Sequence, residues 1–352
     1  MKYFPKLIAL AISASAPLLA SAGQWEGPLN GIVNNVINQG YESYAISSKT
    51  LQQRTDELCT TPSRQSLHSA QEAFKENVLD WQQVQWLNFG PVTYFMRYYA
   101  FEYWPDKKGV TQRQLRALTQ GDPSVMDAPR FWTSASIAVR GLTAIESLLY
   151  HPDFEPLNSA NHCQLLTRVT KHHLESADAV ANQWKEGKAE DWVFDEEGTG
   201  FDPEKVALEQ FLQQWIEHMS AVKDAKLETP IGYNSRENLK LAEFYRSDLS
   251  LQAMQKNLTS YREIYHAGSP SLYDIAKQSN PALATQFEQQ LIENVKLALQ
   301  LPIDFFHTSK SKEDRIALAT PLVKSISNSQ SYLSSLVTSL GFQIGFNSRD
   351  GD

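Results

Sequence analysis

Three observations predict an all-α protein of two packed helical bundles. Apolar residues recur at steps of three and four nearly everywhere, proline and glycine punctuate the chain at helix-length intervals, and no βαβ alternation is present. The chain has 352 residues, more than one compact core usually holds, so a division into two domains is expected. The expected division is 23–228 and 229–352.

The first mature helix follows from Leu29, Ile32, Val33, Val36, Ile37, Tyr41 and Tyr44 on one face. Thr61-Pro62 opens a second helix with the stripe Leu67, Ala70, Phe74, Val78 and Trp81, broken at Gly90-Pro91. Val92 to Trp104 is apolar nearly all round and is expected to form a central helix, stopped by Pro105. A short helix is expected over Gln112 to Leu118, another from Pro129 to Tyr150, and a long one from Asn158 to Trp184. Leu208, Leu212, Trp215, Met219 and Val222 mark the next, and Thr229-Pro230-Ile231-Gly232 reads as the linker. Three further stripes follow, around Leu251–Tyr265, Phe287–Leu299 and Ile316–Leu340. Both halves open with a long helix, a short turn and a second long helix, a pattern compatible with an ancient duplication.

Residues 1–22 read as a cleaved secretory signal. Lys2 and Lys6 precede the apolar run Leu7 to Ala20, and Ala20-Ser21-Ala22 supplies the small residues of a cleavage site. That run is too short to span a bilayer, and no later segment is apolar long enough to do so. Export to the periplasm is therefore expected, with association with the outer membrane left open. Loss of the signal removes two lysines and leaves a net charge of about −10, which argues against nucleic acid as a partner. In an oxidising compartment Cys59 and Cys163 either form one disulfide between helix ends or remain as buried thiols.

Familiar catalytic signatures are absent. No histidine is followed by glutamate, so there is no HExxH helix, and neither a phosphate-cradling loop nor a GxSxG elbow occurs. The informative segment is Arg140-Gly141-Leu142-Thr143-Ala144-Ile145-Glu146. At ~100° per residue Glu146 falls within the apolar arc of Leu142, Ile145 and Leu149, Thr143 lies at its margin, and Arg140 and Ser147 point away. A buried glutamate must be protonated, paired or bound to a cation, so it is either a structural ion pair or a ligand. Arg97 and Glu102 interrupt the aromatic 94–104 segment and also need partners. Arg97 paired with Glu146 is one solution.

Other pairs read as structural. His172 and Glu175 fall on an outward face and His173 on a buried stripe. Glu263/His266 and Asp304/His307 have the spacing of di-iron carboxylate–histidine pairs, but Glu263 and His266 face away from the stripe through Tyr261 and Tyr265, and His266 stands at a helix C-terminus where a cation is favoured. The acidic loop Asp191, Asp195, Glu196, Glu197 and Asp202 lacks calcium-loop spacing.

Several short pieces, in order, resemble imelysin-like proteins, the family of insulin-cleaving membrane proteases and iron-regulated periplasmic proteins. They are Asn88-Phe89-Gly90-Pro91, Phe101-Glu102-Tyr103-Trp104-Pro105-Asp106, Gly141 to Glu146, Thr229 to Gly232, Arg246-Ser247 and the terminal Gly345 to Asp352. The resemblance implies a two-domain helical fold tied to iron uptake, with the site near the domain interface and envelope proteins as partners. The family signature is GxHxxE. Here Gly141 and Glu146 match it, and Thr143 stands where the histidine would be. A threonine hydroxyl is a poor ligand for soft or borderline metals, which weakens a metallopeptidase reading. The candidate site is Gly141, Thr143, Glu146, Arg97, Glu102, Trp104, Asp106 and Arg246, with Glu146 the residue able to meet iron or another divalent cation. The readings are a binding component of iron acquisition taking iron or an iron complex, a metal-dependent peptidase, and a partner-binding module with a decayed site.

Overall fold

A computed structural model describes residues 23–128, 130–152, 160–193 and 202–343. The expected signal, Asp195 to Glu197 and the terminal Gly345 to Asp352 lie outside them. Within the described residues the fold is all-α; the only bridge pairing is the isolated contact of Gly268 with Ser271.

The first helical rod comprises α1 (Glu26–Ile32), a π-helical stretch (Val33–Asn38) and α2 (Gln39–Thr60). It turns back on α3 (Arg64–Val84), which starts one residue after Ser63 rather than at Thr61-Pro62. Ser63 Oγ accepts the Ser66 amide and Ser66 Oγ accepts the Ser63 amide, which satisfies two otherwise orphaned N–H groups. Short helices follow, α4 (Arg97–Phe101), α5 (Val110–Gln120) and α6 (Phe131–Ser134), and then α7 (Gly141–Tyr150) and the long α8 (Ala160–Glu186). α8 packs along α2, and Cys59 at the end of α2 is disulfide-bonded to Cys163 at the start of α8, with Cα atoms 5.3 Å apart.

The second layer begins with α9 (Pro203–Ser220), capped by Asp202. A π-helical stretch (Ala221–Glu228) carries it without a break into α10 (Thr229–Ile231), and Gly232, at φ 65°, stops it. The segment read as a linker is thus the last turn of a long rod. α11 (Ser250–His266), α12 (Leu272–Ser279), α13 (Pro281–Gln300) and α14 (Lys312–Ser339) complete the chain. α11 packs on α3 and α14 on α9, so the buried apolar side chains of both layers form one continuous core.

Two expected helices are broken, and both breaks shape the surface. The 92–104 segment is not a central helix. Gly90–Met96 is a tight 3-10 stretch, and Phe95 and Met96 both sit at φ 56°. Val92, Ala100, Phe101 and Glu102 are the buried residues of this run, while Tyr94, Phe95, Met96 and Tyr99 are exposed. A segment lying across the outside of a bundle buries one stripe however apolar its other faces are. The expected 129–150 helix is split into the short α6, a 3-10 turn and α7, which begins at Gly141. Arg140 is extended and Gly141 has φ 63°, which ends any helical continuity from residue 139. A Cβ on Gly141 would lie 2.1 Å from Ala100 O and 2.3 Å from Phe101 O, so only glycine permits this crossing. The change of phase buries Arg140 and Ser147, both expected to face outward.

Candidate functional site

The close crossing at Gly141 places the first turns of α7 beside residues 102–112. Opposite lies the loop 238–247, which leads into α11. Between them is a cleft of about 300 Å³ lined by Glu102, Trp104, Asp106, Thr143, Glu146 and Arg246, with Lys107, Lys240, His151 and Tyr245 among the other walls. The cleft brings together six of the eight sequence-derived candidates. Gly141 shapes it from behind, and Arg97 is elsewhere.

Glu146 is buried, and its carboxylate is engaged. Oε1 accepts hydrogen bonds from Ser247 Oγ at 2.8 Å, Ser247 N at 3.0 Å and Arg246 N at 3.1 Å. Oε2 lies 3.5 Å from Arg246 Nη1. Burial raises the pKa of Glu146, and the Arg246 charge and the Ser247 donors oppose it. Arg246, not Arg97, is therefore its ion-pair partner. Arg97 instead donates to Gln183 Oε1 at 2.8 Å and Pro91 O at 3.3 Å. Arg246 lies over the Tyr245 ring at 4.5 Å, and its Nε is buried with no acceptor among the described residues.

The other cleft carboxyls are also committed. Asp106 accepts the amides of Val110 and Thr111, both at 2.8 Å, and so caps α5. Glu102 Oε2 accepts Trp81 Nε1 and Gln85 Nε2, each at 2.8 Å, while Oε1 is buried without a partner among the described residues. Burial first and the neighbouring Glu243 charge second push the Glu102 carboxyl well above the usual carboxylate range, and the Lys226 charge opposes them. Trp104 Nε1 donates to Leu241 O at 3.1 Å and ties the 102–106 strap to the opposite loop.

Beneath Glu102 lies a buried polar centre that sequence reasoning missed. Lys226 Nζ donates among four oxygens: Gln82 Oε1 and Gln85 Oε1 at 2.6 Å, Asn257 Oδ1 at 2.7 Å and Glu243 Oε2 at 2.8 Å. Gln85 Nε2 reaches Glu243 Oε1 at 3.0 Å, and His218 bridges Gln85 and Tyr261. Burial, then the Lys226 charge, depresses the His218 pKa and keeps the ring neutral. This network joins α3, the long rod and α11 across the two layers. Its signal was present: Trp215, Met219, Val222 and Lys226 continue one stripe at steps of four, three and four.

Other sequence-derived pairs are placed apart from the cleft. His173 Nε2 contacts Tyr44 Oη and Asn77 Oδ1, each at 3.0 Å, in the core. His266 pairs with Glu288, and His307 with Asp248. Asp191 and Asp202 cap the starts of helical turns. His172 is not on a solvated face, since its ring stacks on Trp132 at 4.3 Å.

A family model for imelysin, peptidase family M75, matches residues 37–333. The chain belongs to the imelysin family. Iron-regulated protein A of Synechococcus elongatus is 21% identical over 332 residues, covering 89% of this chain and 87% of the relative. Two solved structures share the fold of this imelysin. An imelysin-like protein of Psychrobacter arcticum superposes with a TM-score of 0.77 at 19% identity, covering 90% of this chain and 96% of its own. A protein described as an iron-regulated protein A precursor from Parabacteroides distasonis does so at 0.73 and 16%, covering 93% and 97%.

The residues of this imelysin do not fit a resident metal ion. Glu146 Oε1 is saturated by three donors, Glu102 Oε2 already accepts from Trp81 and Gln85, Asp106 caps a helix, and Thr143 offers only a neutral hydroxyl. Among the described residues no group of three or more His, Cys, Asp or Glu side chains is arranged to hold an ion. None of the described helices is long and apolar enough to cross a membrane.

Proposed function

We propose that this chain is an exported, periplasmic binding component of iron acquisition, and that its cleft takes iron as an anionic complex rather than as a bare ion. The observation that carries this is the Glu146–Arg246–Ser247 cluster. It sets Arg246 against the motif carboxylate, and Lys107 and Lys240 add two further positive groups to a cleft wall whose other acid, Asp106, is engaged in capping α5. The Thr143 hydroxyl adds a neutral donor. Such a donor-rich wall recognises carboxylate oxygens through charge-assisted hydrogen bonds. The link to iron comes from relatives named as iron-regulated proteins.

Hydrolysis is not part of this reading. Water activation needs an ionised base or a metal with an open position, and each of the three cleft carboxyls, Glu102, Asp106 and Glu146, is already engaged by donors. Calorimetric titration of the mature chain with ferric citrate, with ferric and ferrous ions and with citrate alone tests the proposal. Ferric citrate binds, the bare ions do not, and Arg246→Gln weakens the complex about tenfold. Saturable uptake of the bare ions, with no response to citrate, would overturn it.

A further inference from the structure

A second cleft lies on the other side of α4, formed where both broken helices meet α8. Its volume is about 480 Å³, within the range of small-molecule sites. One wall is apolar and aromatic, with Phe95, Met96, Trp132 and Ile137. The other carries two guanidiniums, Arg97 and Arg140.

Neither arginine has a carboxylate within ion-pair distance among the described residues. Arg97 donates only to Gln183 Oε1 and Pro91 O. Arg140 is buried, donates through Nη2 to Ala135 O, and leaves its Nε with no acceptor among the described residues. The acid lining the cleft is Glu175, which is exposed, with Oε2 4.0 Å from His172 Nδ1. Two guanidiniums, Arg140 buried and Arg97 half-buried, without a counter-charge within ion-pair distance are costly unless something anionic completes them. The burial also lowers both arginine pKa values, and their charges help to depress that of His172 to about 4. His172 is thus neutral, and its flat stack on Trp132 builds an aromatic platform beside the charges.

The apolar wall is held out at a cost. Phe95 and Met96 occupy the left-handed region, which side-chain-bearing residues rarely adopt, and they expose 76% and 55% of their surface. A ligand with an apolar body and an anionic head would cover these side chains and pair the guanidiniums together.

We propose that this cleft is a second binding site, for a small aromatic carboxylate whose head is held by Arg97 and Arg140 and whose ring lies between Phe95 and the Trp132–His172 stack. It is independent of the Glu146 cleft.

The test is titration of the mature chain with 1-naphthoate, read by calorimetry and tryptophan quenching, against 1-naphthamide, which keeps the shape and loses the charge. The site predicts saturable 1:1 binding of naphthoate at least tenfold tighter than the amide. Arg97→Gln and Trp132→Ala each weaken it about tenfold, and Arg246→Gln in the other cleft leaves it unchanged. Arg97 is only half-buried, so its variant keeps the test usable where Arg140→Gln fails to fold. No binding to millimolar naphthoate, equal binding of the amide, indifference to Arg97→Gln, or loss with Arg246→Gln would each overturn the proposal.

Discussion

Replacing Glu146 separates a structural carboxylate from a ligand. In the structure one oxygen collects three donors from Arg246 and Ser247, and the other faces the Arg246 guanidinium. Glu146→Gln keeps an acceptor oxygen but turns an amide N–H₂ toward Arg246. Hydrogen bonds to a charged acceptor contribute about 1.5–3 kcal/mol each and those to a neutral one about 0.5–1.5, so roughly 3 kcal/mol is lost across the three. Relief of the buried charge offsets part of this, leaving a net cost of about 1–2 kcal/mol. Glu146→Ala strands two backbone N–H groups and costs about 3–4 kcal/mol. At about 2 °C per kcal/mol for a chain of this size, the expected Tm losses are roughly 2–4 °C and 6–8 °C. Hydrogen exchange adds a local readout: the Arg246 and Ser247 amides keep protection in the Gln variant and lose it in the Ala variant. The pH dependence has a definite sign. Burial raises the Glu146 pKa, so the folded chain holds a proton where the unfolded chain has lost it, and this group's stabilising contribution declines as pH rises from the ordinary carboxyl range through the folded value. Glu146→Gln removes that slope. An unchanged Tm in Glu146→Ala, with protected 246–247 amides, would refute the cross-link.

Four further outcomes follow from the same geometry. Lys226→Met leaves Glu243 buried without its cation and costs about 3–5 kcal/mol in urea unfolding, while adding Glu243→Leu recovers part of the loss. The Cys59–Cys163 bridge closes a separation of 104 residues, so reduction or Cys59→Ser/Cys163→Ser lowers stability by about 3–5 kcal/mol in melts with and without reductant. His162 and His173 are buried neutral with pKa values lowered to about 4 and about 3; their stabilisation is complete above the unfolded value near 6.5 and is lost as pH falls below it. At pH 5 that amounts to about 2 kcal/mol for each, checked by urea titrations at pH 7 and pH 5. Gly141→Ala forces a Cβ into the Ala100 and Phe101 carbonyls and destabilises by more than about 3 kcal/mol or prevents accumulation of folded protein, read by circular dichroism.

The site was more legible than the path of the backbone around it. Glu146 shared an arc with Leu142, Ile145 and Leu149, and that local phase survives because α7 is regular over those positions. Its partner was out of reach of periodicity, since Arg246 and Ser247 meet it through backbone N–H groups of a loop 100 residues away. The helix breaks were hidden for a different reason. Phe95 and Met96 adopt positive φ without being glycine, and no residue type announces that. Gly141 does announce it, but a glycine within an apolar stripe also fits an ordinary helix. Misreading it reversed the side expected for Arg140 and Ser147. Thr229-Pro230 resembled a linker because proline usually opens or ends a helix, whereas here a π-helical stretch precedes it and carries the rod through. Lys226 was overlooked because a stripe ending at Val222 looked complete, although a lysine one further turn along the same face must be buried.

The direct measurement is iron and citrate analysis of untagged mature protein after equilibration with ferric citrate and gel filtration, for the natural chain and for Arg246→Gln. The account predicts that iron and citrate co-elute with the natural chain and that both are lost together in the variant. Iron retained without citrate, at equal level in both proteins, would contradict it.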